Sequence, residues 1–205
     1  METIPLKLDG YTDLPPGKIA NVVTYLELTE RPAPTPPADT GGYDIHKVDH
    51  PSPDWYRAII SRIGAEWLWV HIPLMPQPEL EALMRNPDVE IHALERDGET
   101  LGVAELDRRQ PGEVEIVMFG VVPEAVGSGA AHRLMQGVLD AAFRPDTRRV
   151  WLHTCTNDHP AALRFYQRAG FRPYKFAIEV MDDPRLTGAI SDEAAPHIPV
   201  IRTKS

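Results

Sequence analysis

The chain contains one cysteine, Cys155, in 205 residues. A single thiol excludes an intrachain disulfide and an all-cysteine zinc site, and it points to a reducing, cytoplasmic compartment. No apolar run approaches the ~20 residues that a membrane helix requires, so no membrane partner is expected. The opening METIPLKLDG has neither the basic nor the apolar stretch of a secretory leader. Positive charge is scarce: 21 Lys and Arg stand against 30 Asp and Glu, a formal net charge of −9, and no basic run occurs. Nucleic-acid binding needs a basic footprint, so no nucleic-acid partner is expected.

Hydrophobic residues make up 42% of the chain and charged residues 25%. Both are ordinary for a folded chain of this length, which suits one domain with a real core. That domain is expected over residues 1–181, with 182–205 as a tail whose HIPVI segment could add an edge strand. Proline is the excess: 21 residues, about twice the usual ~5%. Several fall in RPAPTPPADTGG, so residues 31–51 are read as a proline-rich loop within the domain.

Apolar periodicity supplies the elements. IANVVTYLEL is β-branched and reads as a strand. Ser52-Pro53 starts a helix whose Tyr56, Ile59, Ile60 and Ile63 share one face, and PELEALMRN gives a second. VEIHALER and ETLGVAEL flank Asp97-Gly98, a hairpin signal. VEIVMFGVV reads as a strand ended by Pro123. A long stripe from Ala131 to Phe143 reads as a helix. The strand RRVWLHTCT, the helix HPAALRFYQRAG and the strand YKFAIEVM follow. The pattern implies an α/β (α+β) fold: a mixed sheet with a central antiparallel hairpin and a parallel strand–helix–strand unit.

The junction VVPEAVGSGAAHRLMQ carries the most chemistry. A strand ends, Gly127, Ser128 and Gly129 follow, and a helix begins near Ala130. Glycines let backbone approach a ligand. A helix N-terminus offers unpaired donors and a partial positive charge, which together make an anion seat. The phosphate-loop lysine and the full dinucleotide glycine fingerprint are both missing.

With NDHPAALRFYQRAGF one strand later, the junction resembles the GNAT superfamily of acyl-CoA-dependent N-acetyltransferases. Val126, Gly129 and Ala131 stand at the positions of that family's R/Q-x-x-G-x-G/A loop, and Tyr166 and Gly170-Phe171 follow at the right distance. The resemblance spans residues 19–181 and is specific over 113–171. Val126 replaces the usual Arg or Gln. His159 stands where Asn is common, with Asn157 close by.

The resemblance implies a GNAT-like twisted sheet with a V-shaped split between strands 114–122 and 149–155, and acetyl-CoA as cosubstrate. Backbone groups of Phe119, Gly120 and Val121 would pair with the pantetheine arm, and either Asn157 or His159 would contact it. The backbone of Val126, Gly127, Ser128, Gly129, Ala130 and Ala131, with the side chains of Ser128 and His132, would hold the pyrophosphate. Gly120 inside a strand fits a bulge, a close ligand approach or packing relief.

Direct transfer to an amine requires a base and profits from an acid. The implied catalytic residues are Glu115 as base, with Glu105 as its rival, and Tyr166 as acid. Glu115, among Val114, Ile116 and Val117, has the apolar setting of a base poised near neutrality. Trp67 and Trp69 fall where the family shapes its acceptor pocket. His153, Cys155 and His159 have a spacing that suggests a metal, but no fourth ligand suggests itself and no metal is expected. The expected acceptor is a small-molecule or peptide amine, with a homodimer left open. The alternative is a non-catalytic acyl-CoA-binding or structural module on the same fold.

Overall fold

The computed structural model describes residues 3–33 and 41–202. Seven strands form one sheet: β1 (Lys18–Leu28), β2 (Asp44–Lys47), β3 (Val89–Arg96), β4 (Glu99–Asp107), β5 (Glu113–Val121), β6 (Arg149–Cys155) and β7 (Arg172–Asp182). Their order across the sheet is β2-β3-β4-β5-β6-β1-β7. All neighbours are antiparallel except β5 and β6, joined by helix α4 (Ala130–Ala142). Helices α1 (Pro53–Gly64), α2 (His71–Leu74) and α3 (Gln77–Arg85) precede the hairpin, and α5 (Ala162–Arg168) joins β6 to β7.

Local chemistry explains the predicted boundaries. The Ser52 hydroxyl accepts from the Trp55 amide at 3.2 Å and caps α1. Asp97 and Gly98 turn the β3–β4 hairpin with positive φ at both (55° and 79°), the two-residue turn whose twist matches the strands. Gly129 caps α4 at φ 89°.

Two glycines identify the faces of the sheet. A Cβ on Gly102 would meet Leu134 of α4 at 3.3 Å, whereas one on Gly120 would meet Ile63 of α1 at 2.5 Å. Gly120 pairs with Val103, so Val103, Glu105 and Asp107 share the α1 face by strand alternation. Asp107 pairs with Glu115, and Glu115 with Trp151, which puts Glu115, Trp151, His153 and Cys155 on that same face. The core fills both sides of the sheet. Tyr56, Ile60, Ile72 and Leu80 pack from α1–α3, and Leu134, Met135 and Val138 from α4.

Three expectations are corrected. Residues 31–51 are not loop throughout, because Asp44–Lys47 pairs with β3; residues 34–40 lie outside the described residues. The HIPVI segment forms no strand. Arg185 is 2% exposed and donates to the carbonyls of Ala194, Ala195 and Ile198, which winds the tail around one guanidinium. The bulge in β5 lies at Val117, where pairing steps from Glu105–Met118 to Leu106–Ile116, and not at Gly120.

Candidate functional site

Strands β5 and β6 pair only at Glu113–Arg149, Val114–Val150 and Glu115–Trp151. Beyond that register the two strands share no ladder among the described residues, and a V-shaped split opens between them. A cleft of about 270 Å³ occupies it. One wall is Phe119, Gly120 and Val121 of β5; another is Val126, Gly127, Gly129, Ala131 and His132; a third is Asp158, His159, Phe165 and Tyr166. The predicted loop, strand and helix residues therefore meet at one place.

Gly127 and Gly129 both hold positive φ, 80° and 89°, in open space, a backbone that side chains resist. Among the described residues no acceptor takes the amides of Gly127, Gly129, Ala131 or His132. These donors sit at the positive end of α4, which is the chemistry of a phosphate seat. Ser128 does not line the cleft. Its Oγ lies 2.7 Å from the Ala125 carbonyl and 2.9 Å from the Tyr43 hydroxyl, which in turn accepts from Arg96 at 3.1 Å. Ala130 is fully buried in the core, so its contribution is confined to its backbone. The His132 ring packs edge-on against Phe165, 5.0 Å away.

His159 and Asn157 part company. His159 lines this cleft, and its Nδ1 accepts from the Ala161 amide at 3.1 Å, which assigns its proton to Nε2. Asn157 faces a second cavity of about 350 Å³ on the α1 side of the sheet. Trp67, Trp69, Phe119, Asp158 and Tyr166 line both spaces and so form their junction. Asp158 braces that junction: it accepts from Trp69 Nε1 at 2.9 Å, from Thr154 Oγ1 at 2.6 Å and from the Cys155 amide at 2.8 Å.

The Tyr166 ring is held by Phe119, Phe165 and Phe171, with centroids 6.0, 5.5 and 6.2 Å away. Burial, and then the charge of Asp158, pushes its phenol above the ordinary value. The hydroxyl is therefore a protonated donor at neutral pH.

Glu115 is placed differently from the expectation. Val114 and Ile116 point to the opposite face and are buried there, so they do not surround its carboxylate. Its own-face neighbours are Asp107, Trp151 and His153, and it lines a separate depression with Asp107, Arg109 and Glu113. His153 connects the two sites. It lines the second cavity, its Nδ1 lies 3.6 Å from Glu115 Oε1, and the Tyr25 ring packs on it at 5.4 Å. The Glu115 contact raises the His153 imidazole above its ordinary value, against partial burial. Glu105 is 2% exposed, lines neither cavity, and takes a hydrogen bond from the fully buried Tyr56 hydroxyl. Burial pushes its carboxyl up while Tyr56 pulls it down.

Four neighbours of these spaces escaped the sequence reading: Tyr43 behind the glycine loop, Asp158 at the junction, and the pair Asn21 and Glu179 beside the second cavity. Asp158 was adjacent to two residues under consideration; for the others no local signal exists. No group of three or more His, Cys, Asp and Glu among the described residues is placed to hold a metal, and none of the described helices is long and apolar enough to cross a membrane.

N-acetyltransferases of uncharacterised role from Mycobacterium bovis and Mycobacterium tuberculosis are 34% identical over 89 residues, 43% of this chain and 56% of theirs. The chain thus matches little more than half the length of these curated relatives. Among solved structures, a GCN5-related N-acetyltransferase from Sphaerobacter thermophilus superposes with a TM-score of 0.56 at 18% identity, covering 80% of this chain and 52% of that one. A tandem GNAT protein of the clavulanic acid biosynthesis pathway gives 0.54 at 20% identity, with 80% and 53% covered. A conserved protein of unknown function from Staphylococcus epidermidis gives 0.60 at 16%, with 81% and 63% covered. At these identities the structural likeness establishes the fold alone. The family model described as acetyltransferase (GNAT) family matches residues 54–171, which include the split strands, the glycine loop and the helix bearing Tyr166. The chain belongs to the GNAT acetyltransferase family.

Proposed function

We propose that the protein transfers an acetyl or other short acyl group from acyl-CoA to an amine. The observation that carries this reading is the split between β5 and β6, with free amides at one end and a protonated phenol at the other. Acyl-CoA supplies the activated acyl carbon and the thiolate leaving group. In the overall reaction the amine nitrogen forms a bond to that carbon and the carbon–sulfur bond breaks; of the two protons that an ammonium nitrogen gives up, one ends on the departing sulfur and the other passes to solvent.

The chain's own groups divide this work. Gly127, Gly129, Ala131 and His132 amides hold the pyrophosphate, and exposed backbone of Phe119 to Val121 adds an edge for the pantetheine amides. His159 contacts that arm, because it lines the cleft and Asn157 does not. The amine approaches from the second cavity. His153 takes its proton, and Glu115 behind it holds the resulting imidazolium. Tyr166 donates to the departing sulfur from the junction of the two spaces. A thiol's pKa of ~8.5 makes thiolate a tolerable leaving group, so the phenol assists without being indispensable.

The test combines calorimetry with thiol release. Gly129→Pro, which cannot adopt positive φ, should abolish CoA binding in a folded protein, whereas Ser128→Ala should bind nearly as well. Wild-type protein should release free thiol from acetyl-CoA only when an amine is present. Undiminished CoA binding by Gly129→Pro would remove this site from consideration.

A further inference from the structure

Strand β7 closes one edge of the sheet, with β1 as its neighbour on the inner side. Its outer backbone groups are unmatched. Val22 on β1 turns both of its own towards β6: its N–H donates to Thr156 Oγ1 at 3.2 Å, and its carbonyl accepts from the Thr156 amide at 3.1 Å. Backbone direction alternates along a strand, so Asn21 and Val23 face β7, and their partners Glu179 and Ala177 face back. Phe176, Ile178 and Val180 therefore point N–H and C=O off the edge, where no described strand meets them. Such an edge is a template for another strand.

The side chains there are apolar too. Phe176, Ile178 and Val180 share a face with Val22, and Phe176 is 72% and Ile178 52% exposed. Sheet edges are usually guarded by charge. On the other face of β7 the guards are Lys175 and Glu179, opposite in sign and symmetric about Ala177. A two-fold axis at Ala177 sets each Lys175 opposite the partner's Glu179 and each Phe176 opposite the partner's Ile178. An axis at Lys175 or at Glu179 would set like charge against like. Because Ala177, Lys175 and Glu179 face β1, they fall at non-hydrogen-bonded pairs, where side chains approach most closely. Each Phe176–Ile178 pair then exchanges both of its backbone hydrogen bonds. Within the chain Lys175 has no carboxylate partner among the described residues, and its ammonium rests on the Tyr25 ring at 3.8 Å.

We infer that β7 is a self-complementary dimer edge: two copies join antiparallel about Ala177 into one continuous sheet. Glu179 lines the second cavity, so each copy brings a lysine to the rim of the other's cavity.

Sedimentation of the full chain should give twice its mass of 22.9 kDa. Position-specific cross-linking reads the register. In a Cys155→Ser background, Ala177→Cys should form a disulfide-linked dimer with oxidised glutathione, because the two-fold places these positions face to face. Val180→Cys should not, since its twin lies six residues along the strand, roughly 20 Å away. Lys175→Glu should weaken the dimer at least ~10-fold, and adding Glu179→Lys should restore it to within about threefold of wild type. Circular dichroism should show every variant folded. A wild-type chain that sediments as a monomer leaves this edge to another occupant and overturns the inference. So does a dimer in which Ala177→Cys cross-links no better than Val180→Cys, or in which the charge reversal fails to restore what Lys175→Glu loses.

Discussion

Tyr56→Phe separates the two carboxylates that family resemblance left as rivals. The change deletes one hydroxyl in a fully buried ring and keeps the packing of α1 against the sheet. Its partner, Glu105, loses its only close donor among the described residues while remaining buried. A hydrogen bond to a charged group contributes about 1.5–3 kcal/mol, which corresponds to roughly 1–2 pKa units. Glu105 already sits above the ordinary carboxyl range through burial, and the variant moves it further up. For a raised carboxyl, stability is greatest where the group is protonated and declines as pH rises through the folded value. The variant's deficit should therefore be small in acid and grow towards neutrality to about 1.5–3 kcal/mol. For a chain of this size that lowers the Tm by roughly 3–12 °C. The acid limb of kcat/KM should stay in place, because Glu105 lines neither cavity, whereas Glu115→Gln should displace it by removing the partner that raises His153. The assay is thiol release across pH, paired with thermal melts at each pH. An acid limb that climbs by a unit or more in Tyr56→Phe, with the limb of Glu115→Gln unmoved, would make Glu105 the base and refute the assignment to His153 and Glu115.

Two further outcomes follow from other parts of the molecule. Tyr166→Phe should lower kcat by roughly 10- to 100-fold in steady-state kinetics with the Tm almost unchanged, because three aromatic rings still hold it; full activity would assign Tyr166 to packing alone. Arg185→Leu should cost about 3–5 kcal/mol in urea melts, since it strands a buried carboxylate: the Asp183 and Arg185 side chains are 2% and 1% exposed. Arg185 holds the Asp183 carboxyl below its ordinary value, so this contribution should be present above the ordinary Asp range and fade as pH falls through the folded value; an Arg185→Leu melt that matches wild type at neutral pH would disprove the pinning role.

What the sequence could determine alone was what depends on neighbours along the chain. Ser52 capped its helix, Asp97-Gly98 turned its hairpin, and Gly127-Ser128-Gly129 broke from strand to helix where expected, because caps, turns and positive φ are settled within a few residues. The resemblance then located the split between β5 and β6. Tertiary structure decided everything that depends on partners distant in sequence. The short strand β2 exists because β3 offers it a ladder. The HIPVI segment fails as a strand because Arg185 claims its neighbourhood's carbonyls. Glu115 looked apolar when read beside Val114 and Ile116, yet a pleated strand sends adjacent side chains to opposite faces, so its real neighbours come from β4 and β6. Asn21 and Glu179 lie 158 positions apart and carry no motif. Only the pairing of β1 with β7 sets them side by side, and only burial leaves the Asn21 Oδ1 without a partner among the described residues.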